Sequence, residues 1–431
     1  MHAMQRRKPR PVRFYQNPRR SLSSLTDTHE IAKSKTLAFS FSIILIFSLQ
    51  FCRVIMAVPA ALAIVSIGVL FFVSGLIVNL VQGSCFLLIR PFSKSAYRKI
   101  VGVVTEILWL TLIWLMDWRA GLEIHLFTDS ETYKLMGKEH ALVMPNHISD
   151  ADIFILWLLA QRFNCLRSAL MVVKKSSMYI PIFGWAAWFM EYVFMSRSWA
   201  KDEKNLKSRL IGLQDFPWPF WLTIFTEGTR LTPDKLVASQ KFAISKGLPV
   251  PSNVLIPRTK GFVAAVQYVR WFVPAIYDMT LAVPRGHRTP SFLEILKGRP
   301  TVVQIHLKRY PVNELPESEE GIAQWCKDRF VAKDSLLDEF QAKGRFESNE
   351  IKNIVGRSIK TLVVLVSLAC IDFIGAMAVI QRFSLLSTWK GITSIVAGLG
   401  LEALFLHAVI EYTKLPPQAS KASMPNGLSK H

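Results

Sequence analysis

The chain has 431 residues, enough for one sizeable catalytic domain with flanking segments. Hydrophobic residues make up 51% of it and are gathered into long runs, which indicates membrane-embedded segments rather than an ordinary soluble protein. The formal net charge of +21 suits an anionic membrane surface or anionic substrates, and we expect no nucleic-acid partner because zinc-finger spacing and RNP-type aromatic motifs are missing from the sequence.

The N-terminal region combines a basic tail with apolar runs. Residues 1–35 are rich in Arg, Ser and Pro, which predicts a disordered tail, although an organelle transit peptide has the same composition. Met56 could be the actual start, because a long apolar run follows it. The stretches 36–52 and 57–89 are both long enough to span a membrane. Basic residues flank the pair on both sides, which predicts an even number of passes.

Residues 101–118 are apolar but contain Glu106, Asp117 and three Trp, which predicts an amphipathic helix at the bilayer surface. The alternative is a helix buried in the soluble domain. Residues 36–118 would thus form an N-terminal membrane region.

The C-terminal part, like the N-terminal one, combines polar segments with apolar runs. Residues 336–358 are polar and charged and predict a linker. Two apolar stretches within 359–412 predict two membrane helices, and 413–431 predict a disordered tail. The five cysteines are scattered without a C-x-x-C pair, so we expect neither a disulfide framework nor a structural zinc site.

Residues 119–335 have a different texture, in which short β-prone runs alternate with helical patterns. This alternation predicts an α/β domain with a largely buried sheet. The predicted strands are ALVMPN, SALMVVK, EYVFMS, FWLTIFTE, NVLIPRT, VPAIYDMTLAV and TVVQIHLK.

The first motif with chemical potential surrounds His147, where a predicted strand ends and an apolar helix follows. Ser149 or Asp150 is expected to cap that helix. Asp152 would lie in its first turn, where a carboxylate can bond one imidazole nitrogen and leave the other as an oriented base. Because the sequence has no G-x-S-x-G nucleophile motif, His147 would deprotonate a substrate hydroxyl directly. Backbone amides near the helix start could stabilise the oxyanion.

A second motif, Glu227-Gly228-Thr229-Arg230, follows the predicted strand FWLTIF. Gly228 permits a tight turn, and Arg230 can offer a planar fork of donors to a phosphate. Glu227 could hold that arginine or a neighbouring backbone amide in place. Taken alone, the tetrapeptide is also typical of a solvated surface turn.

Two further pairs of cations follow predicted strands: Lys174 with Lys175, and Arg258 with Lys260. Each pair alone is typical of a solvated surface. If these strand ends lie on one side of a sheet, the cations would form a positive bowl for phosphate-bearing ligands.

The order of these motifs resembles the 1-acylglycerol-3-phosphate acyltransferases, especially the plant endoplasmic-reticulum class. The resemblance extends from about Met56 to the last apolar segment and leaves residues 1–55 outside. It implies a glycerolipid-acyltransferase-type α/β domain with a mixed sheet, flanked by N- and C-terminal transmembrane helices. The matching segments are NHISDAD, KKSS with IPIFGW, FMSRSWAKDE, FTEGTR, VLIPRTKGF and VPAIYDMT.

The resemblance also implies roles for individual residues. His147 would be the general base and Asp152 its partner. Lys174 would help to hold the phosphate of the lysophospholipid. Arg197 in FMSR matches the family's second block, and Pro274 in VPAI matches the fourth, near the acyl acceptor. The residues that would bind the phosphate of the lysophospholipid are Glu227, Gly228, Thr229 and Arg230.

The implied reaction moves an acyl group from acyl-coenzyme A to the sn-2 hydroxyl of lysophosphatidic acid and gives phosphatidic acid. The implied setting is the endoplasmic-reticulum membrane, crossed several times. We expect no metal and no cofactor besides acyl-coenzyme A as co-substrate, because a thioester is already activated. An acyltransferase for another lysophospholipid or for glycerol 3-phosphate would share every motif. A non-enzymatic channel or transporter would need polar residues spread through many spans.

Overall fold

The computed structural model describes residues 60–196, 198–346 and 351–413, and an eight-stranded mixed sheet lies at the centre of these residues. Across the sheet the order is β4-β3-β5-β2-β6-β7-β1-β8. In chain order the strands are β1 (Glu123–Thr128), β2 (Ala141–Pro145), β3 (Ala169–Lys174), β4 (Val193–Met195), β5 (Trp221–Thr223), β6 (Ala275–Ala282), β7 (Val302–Pro311) and β8 (Ile351–Val355).

The direction of the strands decides where a site can form. Strands β4, β3, β5, β2 and β6 run parallel, while β7 and β1 run the opposite way. Loops that leave the carboxyl ends of parallel strands gather at one edge of the sheet. Every residue of β2 and β6 is buried, and successive side chains point to opposite faces, so both faces of the sheet are covered. The predicted α/β fold with a mixed sheet is confirmed.

Helices connect most of the strands, and further helices precede the first strand and follow the last one. A π-helical turn, Leu115–Arg119, extends the second helix. In chain order the helices are α1 (Ala60–Leu88), α2 (Lys94–Trp114), α3 (Ser130–Leu135), α4 (Asp152–Arg162), α5 (Phe183–Phe189), α6 (Trp199–Ile211), α7 (Pro233–Ser245), α8 (Thr259–Val269), α9 (Phe292–Leu296), α10 (Glu319–Lys343), α11 (Ile359–Arg382) and α12 (Trp389–Thr413).

One predicted strand is wrong, since residues 253–258 form an irregular segment. Side chains accept hydrogen bonds from backbone N–H groups that would otherwise bond to a neighbouring strand. Asp334 accepts from the N–H of Asn253 at 2.6 Å, and Ser239 accepts from the N–H of Ile256 at 3.0 Å. The strands β1 and β8 were not predicted, because β1 is interrupted by His125 and β8 by polar residues.

The segment 336–358 differs from the linker expected there. Helix α10 continues to Lys343, and β8 then pairs antiparallel with β1. The segment looks polar because its outward residues are charged, whereas Leu337, Phe340 and Phe346 are buried against the domain.

Three helices among the described residues are long and apolar enough to cross a membrane: Ile64–Leu88, Lys94–Arg119 and Ile359–Arg382. Helix α1 keeps an apolar exposed face, with Leu80 72% exposed, and packs on α11 and α12. The tail 1–35, the stretch 36–52 and residues 414–431 lie outside the described residues.

Helix α2 has the alternative arrangement, that of a helix buried in the domain. Trp109 and Trp114 are fully buried. The ring of Trp109 stacks on that of Trp157 in α4 at 4.3 Å between centroids. Helix α4, whose first turn contains Asp152 of the predicted active site, therefore packs against α2.

Candidate active site

The chain leaves β2 at Pro145 and turns into α4 through His147. The imidazole Nδ1 lies 2.8 Å from Asp152 Oδ2. The Asp152 side chain is fully buried, while that of His147 is 16% exposed. Because a carboxylate only accepts hydrogen bonds, Nδ1 carries the proton and Nε2 keeps its lone pair. The ring of Phe225 lies 4.2 Å from the imidazole, centroid to centroid, and restricts its orientation.

Asp152 organises the whole turn before α4. It also accepts hydrogen bonds from the backbone N–H of Ile148 at 2.7 Å and of Ser149 at 2.9 Å, and from the Ser149 hydroxyl at 3.0 Å. The predicted cap by Ser149 or Asp150 is wrong, because Ala151 is the N-cap and makes no side-chain cap bond. The Ser149 hydroxyl instead accepts from the N–H of Ala151. Since these three amides already donate to side chains, they are not available to an oxyanion.

Glu227 fastens the His147 turn to two other loops. One carboxylate oxygen accepts from the N–H of His147 at 2.7 Å, and the other accepts from the N–H of Leu255 at 3.0 Å. The residue is 2% exposed, and burial raises the pKa of Glu227 to about 8 against the opposing effect of the two N–H donors. Glu227 was predicted to hold either Arg230 or a neighbouring backbone amide, and the second of these roles fits the geometry. Direct phosphate contact does not fit, because both oxygens bond to the backbone and the side chain does not line the cleft.

Gly228 occupies a position that requires glycine. Its φ is +69°, a left-handed conformation that side chains disfavour. A Cβ at this position would lie 3.1 Å from Cδ of Arg258. The N–H of Arg258 bonds to the carbonyl of Thr226 at 2.7 Å, so the two loops run side by side. The glycine lets the arginine side chain pass directly over the turn.

An open cleft of about 740 Å³ lies at the carboxyl ends of the parallel strands. The cleft is lined by His147, Gly228 and Thr229, and by apolar side chains such as those of Val172 and Phe262. The predicted positive bowl is present, and the cleft offers both cationic and apolar surface. The cationic residues among its described lining are Lys174, Arg230, Lys235, Arg258 and Lys260.

Arg230 reaches the same turn as His147. Its guanidinium lies 4.0 Å from Asp150 Oδ2, just ahead of α4. Burial raises the pKa of Asp150, and the charge of Arg230 acts against that rise. The predicted base and the predicted phosphate-binding arginine are thus brought together.

One predicted residue lies far from the cleft. Pro274 is exposed and precedes the first residue of β6, at the amino end of a strand whose carboxyl end reaches the site. In register, Pro145 lies beside Met279, so Pro274 is about 17 Å away along the strand at roughly 3.3 Å per residue. Arg197 lies outside the described residues.

The cleft also contains residues that the sequence did not single out. Lys235, in the first turn of α7, donates to the Thr229 hydroxyl at 2.6 Å, and its position five residues after Arg230 was the available signal. Asp202 is buried and accepts from the backbone N–H and the hydroxyl of Ser196, which fixes the loop after β4. Among the described residues, three or more His, Cys, Asp or Glu side chains are nowhere grouped so that they could hold a metal ion.

Comparison with known proteins gives consistent matches. A family described as Acyltransferase matches residues 126–283, and one described as Acyltransferase C-terminus matches residues 294–368. The 1-acyl-sn-glycerol-3-phosphate acyltransferase 2 of Brassica napus is 54% identical over 351 residues, which is 81% of this chain and 90% of that protein. The human 1-acyl-sn-glycerol-3-phosphate acyltransferase gamma is 38% identical over 66% of this chain and 76% of its own length.

A solved structure also matches. The crystal structure of the acyltransferase PlsC from Thermotoga maritima covers 61% of this chain and 97% of that chain, with 15% identity and a TM-score of 0.35. The sequence relatives are far closer and cover most of both chains. On their identity and coverage, the chain belongs to the 1-acyl-sn-glycerol-3-phosphate acyltransferase family.

Proposed function

We propose that the protein transfers an acyl group from acyl-coenzyme A to the sn-2 hydroxyl of lysophosphatidic acid and so forms phosphatidic acid. The relatives' names support this acceptor. The observation that carries the proposal is the imidazole of His147, which is bonded at Nδ1 to a buried carboxylate and belongs to the lining of a cleft that also contains cations. No corresponding observation favours a channel or transporter.

In the proposed reaction, Nε2 of His147 removes the proton of the acceptor hydroxyl as its oxygen attacks the thioester carbonyl. The tetrahedral intermediate then expels the coenzyme A thiolate, and the imidazolium returns its proton to the sulfur. Asp152 stabilises the transient imidazolium and holds the reactive tautomer. The donors to the oxyanion must lie elsewhere than in the amides of Ile148, Ser149 and Ala151, which Asp152 and Ser149 already use.

The acceptor phosphate would bind to Arg230 and Lys174, with Arg258 and Lys260 completing the positive surface. Several charge-assisted hydrogen bonds to one phosphate hold the acceptor hydroxyl near the base, and such orientation lowers the barrier by several kcal/mol. The thioester supplies its own activation, so this acyl transfer requires no metal. We further infer an endoplasmic-reticulum location, where the helices α1 and α11 would confine the enzyme to the membrane that dissolves its substrates.

The test is acyl transfer from labelled acyl-coenzyme A by microsomes that contain the wild type or His147→Ala. We expect the substitution to lower the rate by about 10²–10⁴-fold, the usual contribution of a positioned base. The exposed His287 supplies a matched control, and His287→Ala should act as the wild type. A His147→Ala enzyme with near-normal activity would refute the assignment.

The same microsomes should be offered several acceptors. Lysophosphatidic acid is expected to be acylated fastest, ahead of glycerol 3-phosphate and of lysophospholipids with a larger head group. A faster reaction with one of these other acceptors would leave the chemistry intact but overturn the acceptor.

A further inference from the structure

The inner face of α10 contains one charged residue among apolar ones. Lys333 is 2% exposed, although a lysine is almost never fully buried unless it is paired. Its spacing places it on the helical stripe that faces the sheet. The buried residues of this stripe are Ile322, Cys326, Phe330, Lys333, Leu337 and Phe340.

This buried ammonium group has three partners near the catalytic end of the sheet. The Nζ atom donates to the carbonyl of Met144 at 3.1 Å and to the carbonyl of Met279 at 2.6 Å, and it forms an ion pair with Asp278. Met144 lies in β2 only three residues before His147, while Met279 and Asp278 belong to β6. The lysine therefore joins two neighbouring strands just below the His147 turn.

These bonds lie at the last paired residues of the two strands. Pro145, the last residue of β2, pairs in register with Met279, and Met144 pairs with Asp278. The ammonium group of Lys333 supplies donors to both strands at this point.

The charge of Lys333 also acts on the residue that fastens the turn. The charged groups that affect Glu227 are Asp152, which raises the pKa of Glu227, and Lys333, which lowers it. A positive charge below the sheet thus favours the carboxylate form of Glu227. This form accepts both N–H donors, including that of His147.

We propose that Lys333 is a positioning residue of the active site, which holds the catalytic ends of β2 and β6 together and so sets the placement of His147. The inference rests on the proposed function. It assigns to α10 a part in catalysis, although none of the described residues of this helix lines the cleft.

The test compares Lys333→Met, which keeps the length of the side chain but removes its charge and donors, with Lys343→Met on the exposed side of the same helix. We expect Lys333→Met to lower kcat on the order of 10- to 100-fold, as small misplacements of catalytic groups do. KM for lysophosphatidic acid should change less than about threefold, since the cations of the cleft are untouched. Lys343→Met should match the wild type.

The pH profile separates positioning from a general loss of stability. Without the charge of Lys333, the pKa of Glu227 rises further, so its protonated form persists to higher pH. The acid limb of the kcat profile should therefore move to higher pH in Lys333→Met.

The double variant Lys333→Met/Asp278→Asn leaves no unpaired charge and carries the test if the single variant does not fold. It should show the same shifted limb and lowered rate, because Glu227 still lacks the charge of Lys333 and the two carbonyls still lack their donor. A folded Lys333→Met with wild-type kcat and an unmoved limb would overturn the inference, as would a double variant with wild-type kcat. A wild type that transfers no acyl group would instead refute the proposed function.

Discussion

The substitution Asp152→Asn separates the charge of this residue from its shape. An amide oxygen in the place of Oδ2 can still accept from Nδ1 of His147 and from the N–H groups of Ile148 and Ser149. The amide nitrogen would then face the Ser149 hydroxyl, which can rotate to accept a hydrogen bond. We therefore expect the variant to fold and to keep the orientation of the imidazole.

The lost charge should nevertheless reduce the rate strongly. The imidazolium that forms in the reaction and the carboxylate would be separated by about 4 Å between charge centres, and at an effective dielectric constant of about 20 their attraction is about 4 kcal/mol. Since each 1.36 kcal/mol changes the rate tenfold, kcat should fall by about 10³-fold.

The assay is acyl transfer from labelled acyl-coenzyme A at saturating lysophosphatidic acid, with thermal unfolding measured in parallel. Asp129→Asn is the matched control, because Asp129 accepts the N–H of Thr132 at the start of α3, away from the cleft. An Asp152→Asn enzyme that is as stable as the wild type and retains kcat within about threefold would contradict this role of the charge.

Three further outcomes are expected. Arg230→Ala should raise KM for lysophosphatidic acid by about 10- to 100-fold, the equivalent of one charge-assisted hydrogen bond. It should leave KM for a monoacylglycerol, which has no phosphate, unchanged. Equal effects on both acceptors would contradict a phosphate contact. Gly228→Ala should lower stability by about 1–2 kcal/mol in thermal unfolding and raise the same KM, because its positive φ is strained and its Cβ displaces Arg258; an unchanged variant would contradict this. The folded pKa of Glu227, about 8, exceeds the ordinary value of 4.5, so its contribution to stability is complete below pH 4.5 and is lost as pH rises toward 8. The melting temperature of the wild type should therefore fall more steeply across this range than that of Glu227→Gln, and parallel slopes would contradict the pKa.

The arrangement of His147 and Asp152 could be predicted because it is local. A strand, a turn and a helix within a dozen residues fix both side chains, and the five-residue spacing brings them into contact. The gathering of Lys174 and Arg230 also followed from the sequence, since carboxyl ends of parallel strands share an edge.

Features that depend on distant packing could not be predicted. The inward orientation of Glu227 depends on Leu255, in a segment whose irregular backbone is held by side chains from other helices. Pro274 adjoins a strand that does reach the site, but only the direction of β6 shows that it lies at the far end. The role of Lys333 depends on a contact with Met144, 189 residues earlier in the chain.

The stacking of Trp109 on Trp157 has a practical consequence for anyone who wishes to isolate the catalytic half. A truncated form that starts at Glu123 would lack α2 and therefore the Trp109 ring that packs against α4. The apolar side chains that α2 covers would then be exposed to water. Such a fragment should aggregate on expression, so purification has to begin from detergent or nanodiscs with the whole polypeptide.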